Sequence, residues 1–407
     1  MRASFPGATS RFGSARRRMT VAGASRSGFE RESDLATRRD RGTQMVGGDG
    51  RLRVLASPAY GNIEENPYTW LLYSAMRELV EVDELERWAW LRKRYDVFHV
   101  HWPEHVVASS SQKTAAMRLA KFAAEIAFMR LRGTVLVWTV HNIGGHEPRH
   151  RQLERLLYWL LLRQVDGVIH LSAASRAAAN RHWPRLSGVP NAVVRHGLYE
   201  SNLADIGPGA AKEPDVDERT PSVLYFGRIR PYKGIDELLR VYSEDASRSA
   251  WRLTICGAPD DKELSAQVAR AARKEPGLKA VLRHVDAQQL HELIRRSALV
   301  CLPYRSVNSS GAAMLALSVG CPVLVPESPM FQELRDIVGP AWVRVYKGRL
   351  GGRSIEDNLG ERPETAPNLD AFQWPLLASQ TAEFLQTAVR RRRRNRLARP
   401  PRALVGR

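Results

Sequence analysis

Apolar and polar positions along this chain alternate with two periods. Short β-branched runs end in polar or glycine turns, and stretches with apolar residues three and four apart follow them, the pattern of strands feeding helices. In the first half, strands are predicted at "RLRVLAS" (51–57), "YDVFHVHW" (95–102), "TVLVWTVHN" (134–142), "DGVIHLS" (166–172) and "PNAVVRHG" (190–197). Helices are predicted over 66–79, where Asn66 can cap and Pro67 opens the first turn, and near 114–131 and 150–164.

The alternation stops at 201–221, "SNLADIGPGAAKEPDVDERTP", which is polar, acidic and rich in Pro and Gly. It reads as a linker. Strands then resume at 222–228, 251–257, 280–285, 298–304 and 321–327, with helices near 235–243, 261–274, 286–296 and 311–319. Repeated βα units with strands this apolar imply parallel sheets covered on both faces. The expected fold is α/β: two facing doubly wound, Rossmann-like domains over 50–200 and 222–389, with one cleft between them. The last helix of the second domain is free to pack back on the first.

Charge changes this picture only at the ends. The formal charge is +19, of which residues 1–44 carry +6 and residues 390–407 carry +9, leaving +4 for the interior. A basic nucleic-acid-binding face is therefore not indicated; residues 1–49 are expected to be a disordered basic extension and 390–407 a solvated Arg-rich tail that could touch phosphates or anionic headgroups. The extension has no apolar core of a secretory signal, loosely resembles a transit peptide, and leaves Met1, Met19 or Met45 as starts. Cys256, Cys301 and Cys321 sit far apart in apolar runs and read as buried thiols of a reducing compartment. The densest apolar stretch, 156–162, is too short to span a bilayer. A cytoplasmic protein, either free or at the inner face of the membrane, is expected.

"YFGRIRPYKG" (225–234) sets Arg228, Arg230 and Lys233 in a tight connection after the first strand of the second domain. Gly227 permits the turn, and cations beside a helix N-terminus make a phosphate site; a solvated loop with incidental basic residues is the equal alternative. A second stretch decides between them. In "PYRSVNSSGAAMLALSVGCPVLVP" (303–326), Asn308, Ser309 and Ser310 can cap a helix, and Gly311 lets an anion approach its backbone. Two anion sites on one sheet edge suggest a diphosphate, as in a nucleotide-sugar.

These two blocks resemble the donor domain of GT-B glycosyltransferases of the large GT4-like group. "TVHN" (139–142) resembles that group's histidine motif, and "GNIEENPYTWLLYSAMRE" and "YDVFHVHWPE" resemble the opening segments of bacterial exopolysaccharide and glycolipid enzymes, over about residues 50–345. The resemblance implies transfer of a sugar from a nucleotide-diphosphate donor, with GDP-mannose preferred on likeness to bacterial exopolysaccharide mannosyltransferases, to a lipid-linked or cell-envelope saccharide, with no metal or cofactor. It implies that Arg228 and Lys233 clamp the diphosphate, that Ser309, Ser310, Gly311 and Ala312 bind the same phosphates, and that His141 lies near the transferred sugar. One departure stands out: where retaining members carry a glutamate pair, this chain has Val307 and Leu315. Asp215 and Asp217 mimic a metal-binding DxD but fall in the linker.

If the reaction inverts configuration, a general base is needed near the acceptor hydroxyl; His141 and Glu104 are the candidates, with Glu147 behind them. Gly61, Asn62 and His101 are placed at the acceptor side of the cleft. His99 and His101 share one strand face and are either cleft-facing imidazoles or hydrogen-bonded core histidines. The stripe Leu119, Phe122, Ile126 and Met129, flanked by Arg118, Lys121, Arg130 and Arg132, suits either a membrane interface or a buried helix face. Other readings are a different GT-B enzyme, such as an epimerase or phosphorylase, whose catalytic acids or cofactor lysine find no place here, and a basic nucleic-acid-binding protein.

Overall fold

The computed structural model describes residues 50–63, 66–86, 89–143, 149–199, 221–244 and 250–398. The expected extension 1–49, all of the expected linker except Pro221, and the loop holding Glu147 lie outside them.

The first domain carries β1 (Leu52–Ser57), β2 (Val80–Glu84), β3 (Val97–Val100), β4 (Val135–Val140), β5 (Gly167–His170) and β6 (Asn191–Val193), interleaved with α1 (Tyr68–Met76), α2 (Ala89–Arg92), α3 (Gln112–Leu131), α4 (Arg151–Gln164) and α5 (Ala173–His182). The second carries β7 (Ser222–Phe226), β8 (Arg252–Cys256), β9 (Leu278–Val281), β10 (Leu299–Cys301), β11 (Val323–Pro326) and β12 (Val343–Tyr346), with α6 (Ile235–Glu244), α7 (Lys262–Lys274), α8 (Ala287–Arg296), α9 (Gly311–Ser318), α10 (Pro329–Val338), α11 (Gly352–Glu356) and α12 (Trp374–Leu397).

Each domain has one parallel six-stranded sheet, in the orders β2-β1-β3-β4-β5-β6 and β12-β11-β10-β7-β8-β9. Strand order reverses between β1 and β3 in the first and between β7 and β10 in the second, and ligands of such sheets bind at the strand ends beside that switch. The central strands are buried along their whole length, as a sheet covered on both faces requires. One core fills the second domain, and two lie on opposite faces of the first sheet.

The expected helix 66–79 is shorter. Asn66 Oδ1 accepts the Tyr68 N–H, but the helix ends at Met76 and the chain turns into β2, "VEVDE". The stripe of α3 is core: Leu119, Phe122, Ile126 and Met129 are all buried.

The Arg-rich end also departs from expectation. Residues 390–397 are not a solvated tail but the last turns of α12, which lies on the first domain against α1 and β4. Trp374 begins the helix, packs where any side chain at Gly197 would collide with it, and donates its indole N–H to Leu198 O. Leu377, Ala378, Leu385 and Val389 then join the core of the first sheet. At the far end Arg392 pairs with Asp166 and Arg393 with Asp96. A boundary at 389 therefore cuts through a packed helix.

Candidate functional site

The two stretches singled out in the second domain flank its switch point. After β7, Gly227 adopts φ +122°, and a Cβ there would stand 2.9 Å from Lys233 Nζ, so this glycine makes room for the lysine. A Cβ at Gly257, at the end of β8, would fall 1.8 Å from Gly227 O, which keeps the two strand ends in close register. Residues Pro231–Lys233 form a 3₁₀ turn closed by Gly234 at φ +70°. The Lys233 ammonium lies 6.0 Å from the centre of the Tyr304 ring. Burial first, and then Arg230 and Arg228, push its pKa down to about 8.

Arg228 and Arg230 do not stand free beside a helix end, as the sequence suggested. Arg228 donates to both oxygens of Asp260 at 2.6 Å, and Arg230 Nε donates to the same carboxylate. The first turn of α6 carries Asp236 and Glu237, and Asp236 pairs with Arg305. The anion-attracting group on this side is thus the lysine, with the arginines held as a cationic rim by Asp260.

Across the switch, α9 begins at the second stretch. Ser310 Oγ accepts from the Ala313 N–H at 3.1 Å, leaving the Gly311 and Ala312 amides, first in the helix, without intrahelical partners. Ser310 Oγ also sits 3.5 Å from Tyr304 Oη, so one tyrosine joins the lysine to the helix end. Tyr199 of the first domain closes on this point: a Cβ at Gly311 would lie 2.6 Å from its hydroxyl.

The facing edge of the first domain is built on β3 and β4. His141 follows β4; it is buried, stacked on Trp102 at 4.2 Å, and its carbonyl lies 3.5 Å from Ser309 Oγ of the other domain. Burial pushes its pKa well down, so the ring is neutral at pH 7. His101 does not line an open cleft: it is fully enclosed, between Tyr73 and His141. Glu104 meets Asn142 Nδ2 at 2.8 Å and Tyr158 Oη at 3.5 Å, on the α4 face of the sheet, whereas His141 faces α1 and Tyr68. The two base candidates therefore do not converge. Burial raises the Glu104 carboxyl to about 7. Gly61, like Ala59 and Tyr60, donates its N–H to Glu84 Oε2, and Asn62 Oδ1 accepts from the Thr69 hydroxyl; these residues shape the loop after β1.

A pocket opens where the domains meet, lined by Ser172, Arg195 and His196 on one side and Asn308, Ser309, Ser310 and Glu333 on the other. Glu333 spans it, accepting the Ala173 and Ala174 N–H groups at the start of α5 at 3.0 and 2.9 Å. The Arg195 Nε is buried there without a partner. Sequence reasoning missed Arg195, His196 and Glu333, which carry no motif and meet only through domain packing. Burial also lowers the His196 pKa to about 4.

Comparison with known proteins gives the family and the fold. The family of glycosyl transferases group 1 matches residues 210–336. A GDP-mannose:glycolipid 4-beta-D-mannosyltransferase of Xanthomonas campestris pv. campestris is 30% identical over 335 residues, covering 80% of this chain and 89% of that protein. A D-inositol 3-phosphate glycosyltransferase of Corynebacterium aurimucosum is 23% identical over 206 residues, 46% of this chain and 49% of that one. Among solved structures, the sucrose-phosphate synthase of Thermosynechococcus elongatus superposes with a TM-score of 0.54 at 13% identity, covering 85% of this chain and 99% of its own. An Anabaena protein in complex with UDP superposes at 0.52 and 16% identity, over 83% and 100%. These structural likenesses concern the GT-B fold.

Proposed function

Because the chain belongs to the glycosyl transferases group 1 family, and is a glycosyltransferase of GT-B fold, we propose that it moves mannose from GDP-mannose to a glycolipid acceptor. The observation that carries this reading is the strip Lys233–Tyr304–Ser310, which sets a cation and the open amides of α9 on one side of the cleft, opposite His141. Negative charge grows on the diphosphate as the glycosidic bond breaks, and preorganised donors aimed there lower the barrier. Lys233, Gly311 and Ala312 hold the diphosphate, with Arg228 and Ser309 beside them; the Arg228 fork on Asp260 is loosened when phosphate competes for it.

The relative's product is a β-mannoside, and GDP-mannose is an α-glycoside, so the same transfer here inverts the anomeric centre. Inversion needs one base at the acceptor hydroxyl and no second carboxylate. That fits the apolar Val307 and Leu315. His141, neutral and next to the donor loop, is that base; Glu104, on the other sheet face, orients Asn142 behind it.

The acceptor's lipid calls for a membrane face. No helix among the described residues is long and apolar enough to cross a bilayer. The outer side of α4 exposes Arg151, Arg155, Leu156, Trp159 and Arg163, with Trp159 half in solvent and the Arg163 guanidinium 4.1 Å above its ring. Basic residues with an interfacial tryptophan suit anionic headgroups at a cytoplasmic leaflet. Within the arginine run, Arg392 and Arg393 are engaged in ion pairs inside the fold.

A thermal-shift panel of GDP-, UDP- and dTDP-sugars, followed by transfer of labelled sugar to a detergent-solubilised glycolipid extract, tests the reading. GDP-mannose should give the largest rise in melting temperature and a β-linked product. Stabilisation by none of the nucleotide-sugars would refute the donor site, and an α-linked product would refute inversion.

A further inference from the structure

Beneath His141 five polar side chains form one unbranched line. Thr139 Oγ1 meets His99 Nε2 at 2.8 Å, His99 Nδ1 meets Tyr73 Oη at 2.9 Å, Tyr73 Oη meets His101 Nε2 at 2.8 Å, and His101 Nδ1 meets His141 Nε2 at 3.1 Å. None is more than 5% exposed. The line accounts for both ring nitrogens of His99 and His101 but only one of His141, leaving over its Nδ1.

Counting protons restricts what the line can do. Burial holds all three imidazoles neutral, with His99 down to about 3 and the other two well below their usual value. A neutral imidazole donates from one nitrogen and accepts at the other, and a tyrosine hydroxyl has one proton to give. The direction of any one link therefore fixes all the others. In one arrangement Tyr73 donates to His99, which donates to Thr139; His101 then donates to Tyr73, His141 donates from Nε2 to His101, and His141 Nδ1 is bare. In the other every link is reversed and His141 carries its proton on Nδ1. A mixed pattern leaves a buried group unsatisfied, at a cost of about 1–3 kcal/mol.

We infer that this line is a tautomer lock, in which the hydrogen-bond direction set at Thr139 and Tyr73 decides whether His141 presents a lone pair or an N–H to the cleft. The inference rests on the reading of His141 as the base. Transfer requires the bare Nδ1: the acceptor O–H proton passes to it and the O–H electron pair forms the new bond to the anomeric carbon. The bond from that carbon to the diphosphate breaks, its pair leaving with the nucleotide. Thr139, His99, Tyr73 and His101 touch no substrate and are positioning residues.

Thr139→Val tests this directly. Valine fills the space of threonine but accepts no hydrogen bond. His99 Nε2–H would then be an orphaned buried donor, which is rarer in proteins than an orphaned acceptor. The line should reverse and protonate His141 on Nδ1. Two-bond ¹H–¹⁵N spectra of the full chain labelled with ¹⁵N-histidine read that tautomer. Wild type should show a bare His141 Nδ1 and Thr139→Val a protonated one, with kcat down about tenfold or more and donor Kd unchanged. Thr139→Ser, which keeps the hydroxyl, should restore both the tautomer and kcat. In a Tyr73→Phe background the line is interrupted, so adding Thr139→Val should no longer change the His141 tautomer. The same His141 tautomer in wild type and Thr139→Val overturns the lock, and so does a reversed tautomer with unchanged kcat. Full turnover by His141→Asn would instead remove the base assignment, whatever the spectra show.

Discussion

Cutting the chain after Val389 should destabilise the first domain by about 2–3 kcal/mol. The cut removes Arg393 from Asp96 and Arg392 from Asp166. The Asp96 side chain is only 3% exposed; its Oδ1 accepts from Arg393 Nη2 at 3.0 Å and its Oδ2 from the Arg53 N–H. Removing one partner of a buried pair costs about 3–5 kcal/mol, because the remaining charge is stranded. Arg393 is itself a third exposed, so water reaches the pair, and about half that cost, roughly 2 kcal/mol, is the fitting figure. Asp166 keeps Arg130 and the Leu136 N–H, so losing Arg392 adds about 0.5 kcal/mol or a little more. At roughly 2–4 °C per kcal/mol for a domain of this size, the melting temperature should fall by about 4–12 °C. Calorimetry of the chain ending at residue 389, beside Arg393→Ala and Arg392→Ala, measures it; Arg393→Ala should account for most of the loss. A shortened chain that melts within about 1 °C of the full one would show that these pairs contribute nothing.

Lys233→Ala should weaken nucleotide-sugar binding by about 2–4 kcal/mol, read by titration calorimetry. With its pKa pushed down to about 8, Lys233 is charged at pH 7 and neutral by pH 9. Donor affinity should therefore fall as pH rises through about 8, while the free protein gains stability from about pH 8 up to the ordinary lysine value of 10.5, as the cost of burying the charge is relieved. A donor affinity flat from pH 7 to 9 would count against Lys233 as the phosphate cation. His141→Asn should unfold near the wild-type midpoint with turnover down about 100-fold; an early-melting variant whose folded fraction works at the normal rate would make His141 structural. Gly234→Ala should cost several kcal/mol, roughly 2–4, in chemical denaturation: φ is +70° and the new Cβ would stand 1.9 Å from Pro303 O, in the strip that joins both donor loops. Wild-type stability there would mean that the loop rearranges freely.

What could be read in the sequence was what is encoded locally. The central strands are legible because a strand buried on both faces must be apolar throughout. The two unforeseen strands, β2 and β12, are edges of their sheets with partly exposed residues, and "VEVDE" carries three acids. Gly227, Lys233 and Ser310 were legible because a turn, a cation and a cap each leave a local mark. Their pairing was not, since Asp260 lies 32 residues from Arg228. The arginines of α12 looked solvated because Asp96 and Asp166 stand 297 and 226 residues away along the chain. His101 looked accessible because strand period gives its face and not its depth. Arg195 and Glu333 belong to a pocket that neither domain forms alone.

The return of α12 to the first domain has a consequence for how the protein is made. The residues from 222 to 372 complete the second sheet and its helices from their own stretch of chain, whereas the first sheet's α1-side core is unfinished until Leu377, Leu385 and Val389 have been synthesised. Ribosomes add about 5–20 residues per second, so with roughly 200 residues between β6 and the end of α12, Leu71, Met76 and Val97 wait on the order of 10–40 s for their cover. The later-encoded domain is thus the first able to finish folding. The earlier one spends that interval with an apolar face open, which is the window in which a nascent-chain chaperone would engage it and a premature stop codon would be most damaging.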